Sequence, residues 1–106
     1  MINIRALLML MTLVMGSSMS IDSSASDILN GKKVYQGRCA LCHGDRGKAV
    51  MPGTPDLSRQ QGMQKSNSAL LERLQRGQGS CPPFRGMIRD EHLNDVISYI
   101  RTLRRQ

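Results

Sequence analysis

The run Cys39-Ala40-Leu41-Cys42-His43 places two thiols three residues apart, with an imidazole directly after the second. One helical turn of separation lets both thiols add to the two vinyl groups of a single porphyrin, while the adjacent imidazole reaches its iron. This is the C-x-x-C-H spacing of c-type haem attachment. A third thiol, Cys81, stands beside two prolines in the loop "GQGSCPPFRGM" of residues 77–87, and an odd count leaves one sulfur over in any disulfide scheme. Two other uses of the motif fit less well. A thioredoxin-type C-x-x-C follows a strand within a βαβ pattern, and no β-rich run precedes Tyr35; a zinc half-site needs a second close Cys or His pair, which the sequence lacks.

Thioether links hold a haem even when its iron bonds break, which suits an extracytoplasmic protein. Residues 1–25 have the layout of a secretory signal: Arg5 near the start, an apolar run from Ala6 to Met15, then small polar residues ending at Ser23-Ser24-Ala25. The apolar run is shorter than the roughly 20 residues of a spanning helix. The expectation is a signal peptide over 1–25 and one domain over 26–106, soluble and periplasmic or otherwise extracytoplasmic, with membrane attachment only if the signal is uncleaved.

That domain has Tyr35, Phe84 and Tyr99 as its whole aromatic supply and no tryptophan. Small domains bury a low fraction of their surface and often need a staple, so a cofactor is expected to fill the centre. The thin apolar supply also leaves a homodimer, or a heterodimer with a second haem protein, open. The formal charge of +7 suits a solvated surface or a docking face for an acidic redox partner. No nucleic-acid motif is present, and aromatics are too sparse for a single-strand binder.

Three main helices are expected. The first covers roughly Ser26 to Gln36, with Ile28, Leu29 and Val34 as its apolar surface. The second covers about Asn67 to Arg76, where Ala69, Leu70, Leu71 and Leu74 recur at helical spacing before Gly77 and Gly79. The third runs from about Asp90 to Arg104, with Leu93, Val96, Ile97, Ile100 and Leu103 as one stripe and acidic and basic ends that complement its dipole. The intervening Gly, Pro, Ser and Gln read as loops.

"GKKVYQGRCALCHG" followed by "DEHLNDVISYIRTL" resembles the first and last helices of the class I, mitochondrial-type or bacterial small cytochromes c, over nearly all of residues 26–106. The resemblance implies an all-α fold of three main helices and loops wrapped around one covalently bound haem c, attached through Cys39 and Cys42 with His43 on the iron. It implies that Gly31 and Tyr35 let the first helix cross the last one closely. It also implies a proline carbonyl that orients the axial imidazole. In "GTPDLS" this is Pro55, with Leu57 as a haem contact and Pro52 as the other candidate carbonyl. Arg38, Arg59 and Arg76 are candidates for the haem propionates.

Members of this family usually carry their sixth ligand in a run resembling "MPPF" before the last helix, and here the frame reads Cys81-Pro82-Pro83-Phe84. Cys81 then stands in the methionine's place, and Phe84 keeps its packing role. Of the methionines beyond the signal, Met51 is close to the attachment site, Met63 lies in a polar loop, and Met87 is the serious rival. His92 falls on the shoulder of the last helix's stripe, where partial exposure is expected. A thiolate favours ferric iron and a thioether ferrous iron, so His43/Cys81 ligation implies an exported low-potential electron carrier rather than an enzyme. Two alternatives stay open: a protein that binds NO or CO when Cys81 is displaced, and the haem subunit of a thiosulfate- or sulfur-oxidising enzyme.

Overall fold

Gly31 is the point at which the chain closes on itself. The computed structural model describes residues 25–105; all but the last residue of the expected signal, residues 1–25, therefore lies outside the described residues. Helix α1 spans Ile28–Arg38 and starts two residues later than its apolar content suggests, because Asp27 caps it by accepting from the Asn30 N–H at 3.0 Å. A Cβ on Gly31 would lie 2.1 Å from the Asp95 carbonyl oxygen, so only glycine allows this approach to the last helix. One turn on, the fully buried Tyr35 ring meets Tyr99 edge-on, with centroids 5.3 Å apart.

The expected apolar surface of α1 is not the one used. Ile28 and Leu29 are 45 % and 74 % exposed, and α1 buries Gly31 and Tyr35 instead. The crossing chooses the face, and the two aliphatic residues point away from it. The N-terminus of α1 is fastened to the last helix by Asp95. This buried carboxylate accepts from the Asp27 N–H at 2.7 Å and the Asn30 side-chain amide at 2.8 Å.

After Cys39, whose N–H bonds to the Tyr35 carbonyl at 2.8 Å, the chain makes one further turn of helix, α2, Ala40–His43. Gly44 ends it with φ +76°, and the Tyr35 hydroxyl donates to the Gly44 carbonyl at 2.6 Å. The attachment motif is thereby tied to the α1 crossing. A short 3-10 turn, Leu57–Arg59, follows.

Helix α3 spans Asn67–Arg76, as the spacing predicts, with Ser66 as its cap. Helix α4 spans Asp90–Thr102 and tightens into a 3-10 turn over Leu103–Arg105. All five residues of its expected stripe are buried. The described residues contain no strand, only one isolated bridge between Gln78 and Cys81. The fold is all-α. Its helices pack around one apolar cluster that joins Tyr35, Val96, Tyr99 and Leu103 to Leu57, Met63, Leu70, Ile97 and Ile100, and a central space opens beside it.

Candidate functional site

That space is a cavity of about 520 Å³, within the range of sites for small molecules and cofactors. Its lining includes Cys39, Cys42 and His43 from the α1–α2 junction and Cys81 and Phe84 from the loop before α4. Between them the walls are apolar, built by Leu57, Leu70, Leu74, Ile97 and Ile100.

His43 is held by its second nitrogen. Its Nδ1 lies 3.2 Å from the Pro55 carbonyl oxygen, which fixes the ring and, with the proton on Nδ1, leaves Nε2 as the free donor. Pro52 also lines the cavity, but the carbonyl at the imidazole is that of Pro55. Leu57 is buried and lines the cavity; its N–H donates to the Gly47 carbonyl at 2.8 Å.

Cys81 is positioned chiefly by its backbone, and its thiol makes a long contact of 3.9 Å to the Pro82 carbonyl. Its N–H donates to the Gln78 carbonyl at 2.9 Å, and its carbonyl accepts from the Gln78 N–H at 3.0 Å, closing a tight turn. Gly77, with φ +72°, lets this turn lie against the end of α3: an added Cβ would stand 2.7 Å from both the Cys81 oxygen and the Pro83 nitrogen. The Phe84 N–H then bonds the Leu74 carbonyl at 3.0 Å, which docks the loop and buries the Phe84 ring. Gly77→Ala is therefore expected to lower the thermal midpoint of the haem-loaded protein well beyond Gly79→Ala. Both positions have positive φ, but a Cβ on Gly79 meets nothing within 4 Å. The difference measures the clash together with the Gly77 backbone itself, whose φ of +72° and ψ of +167° suit glycine alone, about 1–3 kcal/mol.

Burial pushes the Cys39 thiol up to about 12, with the neighbouring Cys81 and Cys42 adding to the effect. Burial also raises Cys81. A position that penalises a thiolate is no obstacle to a thioether, which carries no charge. Among the described residues no group of three or more His, Cys, Asp and Glu could hold a metal ion by itself. Three sulfurs and one imidazole lining a single, largely apolar cavity suit a flat apolar group that brings its own iron. A haem fits that donor set. When bound, it supplies one-electron redox chemistry; the chain would supply thiols for its attachment, an imidazole for its iron and apolar surroundings.

Sequence reasoning placed several residues differently. Met87 is 60 % exposed and does not line the cavity, whereas Met63, expected in a polar loop, is buried and does line it. Its carbonyl is clamped by the Arg101 guanidinium at 3.1 Å, a partner 38 residues away. Met51 is 43 % exposed at the cavity rim. Of the three arginines proposed for propionates only Arg38 lines the cavity; Arg59 is exposed, and Arg76 pairs with Glu72 on the outer face of α3. His92 is partly exposed beside Arg89 and Glu91, as expected. Arg73 lines the cavity and was missed. The signal for it was present, since it stands three residues after Leu70 and directly before Leu74.

A family model described as cytochrome c oxidase, cbb3-type, subunit III, matches residues 26–100. The chain is 37 % identical over 79 residues to a protein named cytochrome c6 from Thermosynechococcus vestitus, covering 72 % of this chain and 70 % of that one. It is 36 % identical over 78 residues to cytochrome c6 from Parathermosynechococcus lividus, covering 71 % and 88 %. Cytochrome c6 from Pyropia tenera is 31 % identical over 80 residues, covering 71 % of this chain and 91 % of that one.

Proposed function

We propose a low-potential electron-transfer role for this chain, which belongs to the class I monohaem cytochrome c family and carries one covalently bound haem c. It is a c-type electron carrier that works with redox partner proteins. The specific reading is that Cys39 and Cys42 form the thioethers, His43 is the proximal ligand oriented by Pro55, and the Cys81 thiolate is the sixth ligand. Leu57 and Phe84 pack the haem faces. The single observation that supports this reading is that Cys81, in a loop pinned by Gln78 and Gly77, lines the same cavity as the attachment motif.

The thiolate's charge favours ferric iron, so the midpoint lies below that of His/Met cytochromes. Residues 26–106 act as the mature domain outside the cytoplasm after loss of 1–25. No helix among the described residues is long and apolar enough to cross a membrane. Lys32, Lys33, Arg38, Arg46 and Lys48 flank the attachment region in sequence and steer an acidic redox partner. The test is low-temperature EPR of the ferric protein, wild type against Cys81→Ser. A thiolate-type low-spin signal is expected in the wild type and absent from the variant. An unchanged signal assigns the ligand elsewhere, with Met63 the first methionine to examine.

One observation favours a second reading at the same site. Met87 is exposed and away from the cavity, so it does not replace a Cys81 released on reduction; with the cavity-lining Met63 kept in place by Arg101, the position opens to NO or CO. A reduced spectrum unchanged under CO rejects this reading and leaves electron transfer standing.

A further inference from the structure

Among the described residues Asp95 is the one charged side chain that is buried. It sits where α4 crosses the start of α1, and each carboxylate oxygen takes one neutral donor: the Asp27 N–H at 2.7 Å and the Asn30 side-chain amide at 2.8 Å. The ion pairs among the described residues lie elsewhere, joining Arg76 to Glu72, Arg89 to Glu91, and His92 to Glu91. On α1, Lys32 and Lys33 are exposed, and Asp27 turns its own carboxylate to the Asn30 N–H. On α4, Arg101 is bound to the Met63 and Lys65 carbonyls and the Asn67 side chain. Two neutral hydrogen bonds and the dipole at the α1 N-terminus, about half a charge, offset part of the cost of a buried carboxylate. A full opposite charge is missing.

That charge can come from the chain itself. Ser26 directly precedes Asp27 and is exposed. Its nitrogen is three covalent bonds from that of Asp27, at most about 4.3 Å, and therefore lies within about 7 Å of the Asp95 carboxylate. In the unprocessed chain this nitrogen is an uncharged amide. We propose that removal of residues 1–25 turns it into the counter-charge of Asp95: the new α-ammonium of Ser26 pairs with the buried carboxylate and locks the α1–α4 crossing only in the processed chain. This rests on the reading of 26–106 as the mature domain. A signal peptidase hydrolyses the Ala25–Ser26 bond with one water; Ala25 leaves as a carboxylate, and Ser26 takes the proton as an ammonium. Because Asp95 is withdrawn from solvent, the attraction is stronger than in bulk water. It raises the ammonium above the ~7.7–8.0 of a free α-amine. The stabilisation is therefore full below that range and is lost as pH rises through the raised value. Gly31 and Tyr35 belong to the same crossing, and the Tyr35 hydroxyl holds the Gly44 carbonyl beside the attachment motif. Processing thus stiffens the support of Cys39, Cys42 and His43.

The experiment uses haem-loaded protein in two forms, one beginning at Ser26 and one with Gly-Ser-Gly-Ser added before it, which moves the ammonium away and leaves the Ser26 nitrogen an amide. Each form is made with Asp95 and with Asp95→Asn, and urea unfolding is followed at low ionic strength at about pH 6 and about pH 9.5. At the lower pH the extension is expected to raise the unfolding constant about tenfold with Asp95 and to leave it unchanged in Asp95→Asn. At the higher pH the two forms with Asp95 should converge. An NMR titration of Ser26 reads the charge directly: its ammonium should hold its proton about tenfold more tightly with Asp95 than in Asp95→Asn, about one pH unit. Where Asp95→Asn fails to fold, the extension and its pH dependence on the Asp95 background decide alone. An extension without effect at the lower pH, an equal effect in Asp95→Asn, or a difference that persists at the higher pH each overturns the lock and leaves the 26–106 boundary standing. An intact mass of the exported protein that starts elsewhere than Ser26 overturns the boundary, and the lock with it.

Discussion

Cys81→Met is expected to raise the midpoint potential by roughly 0.3 V, a large part of the ~0.8 V over which axial ligands move a haem. The backbone requires no change to receive the new side chain. The turn at position 81 is held by its own backbone bonds to Gln78 and by the close approach of Gly77, neither of which involves the cysteine sulfur. Pro82 and Pro83 restrict the loop further. Methionine at this position therefore exchanges an anionic sulfur for a neutral one on the same cavity wall, and ferrous iron loses its penalty. At ~59 mV per tenfold, ~0.3 V is about 10⁵ in the equilibrium constant with any fixed redox partner. Spectroelectrochemistry of the variant beside the wild type reads this directly. A shift of less than about 0.1 V would mean that the side chain at position 81 does not reach the iron.

The elements that were legible in the sequence are those fixed by local rules. Ser66 and Gly77 bracket α3 at its observed bounds, and the five-residue stripe of α4 is buried as its spacing requires. The attachment motif is equally local, since two thiols and an imidazole within five residues need only one turn of helix. What was illegible depends on distant partners. Ile28 and Leu29 look like core, yet the face that α1 buries is chosen by Gly31 against Asp95 and Tyr35 against Tyr99. Met63, set among polar residues, is drawn inward by Arg101, which also binds the Lys65 carbonyl and the Asn67 side chain. Arg73 and Arg76 read alike in the sequence; α3 turns one toward the cavity and leaves the other to Glu72 outside. Charge type was readable, and direction was not.

Replacing both attachment cysteines, Cys39→Ala with Cys42→Ala, is expected to leave a chain without a stable fold once loosely held haem is removed. Six of the eleven buried hydrophobic residues among the described residues, Leu57, Met63, Leu70, Phe84, Ile97 and Ile100, also line the cavity. Without haem they pack on one side only. At ~24 cal/mol per Å³, the 520 Å³ space would cost about 12 kcal/mol if empty. Halving that for its solvent-facing mouth still leaves about 6 kcal/mol. The whole stability of a domain this size, at ~0.05–0.15 kcal/mol per residue, is about 4–12 kcal/mol. The remaining five residues, Tyr35, Leu93, Val96, Tyr99 and Leu103, cluster around the last helix and its contacts with α1 and the Leu57–Arg59 turn. They can hold residual helix there but not the loops that carry Pro55 and Cys81. Far-UV circular dichroism should show partial helix with no cooperative melt. Either single variant keeps one thioether and should still unfold cooperatively, so the collapse should require both changes. A double variant that melts cooperatively within about 10 °C of the wild type would mean that the helices form a sufficient core by themselves, with the haem as a guest rather than as the centre of the fold.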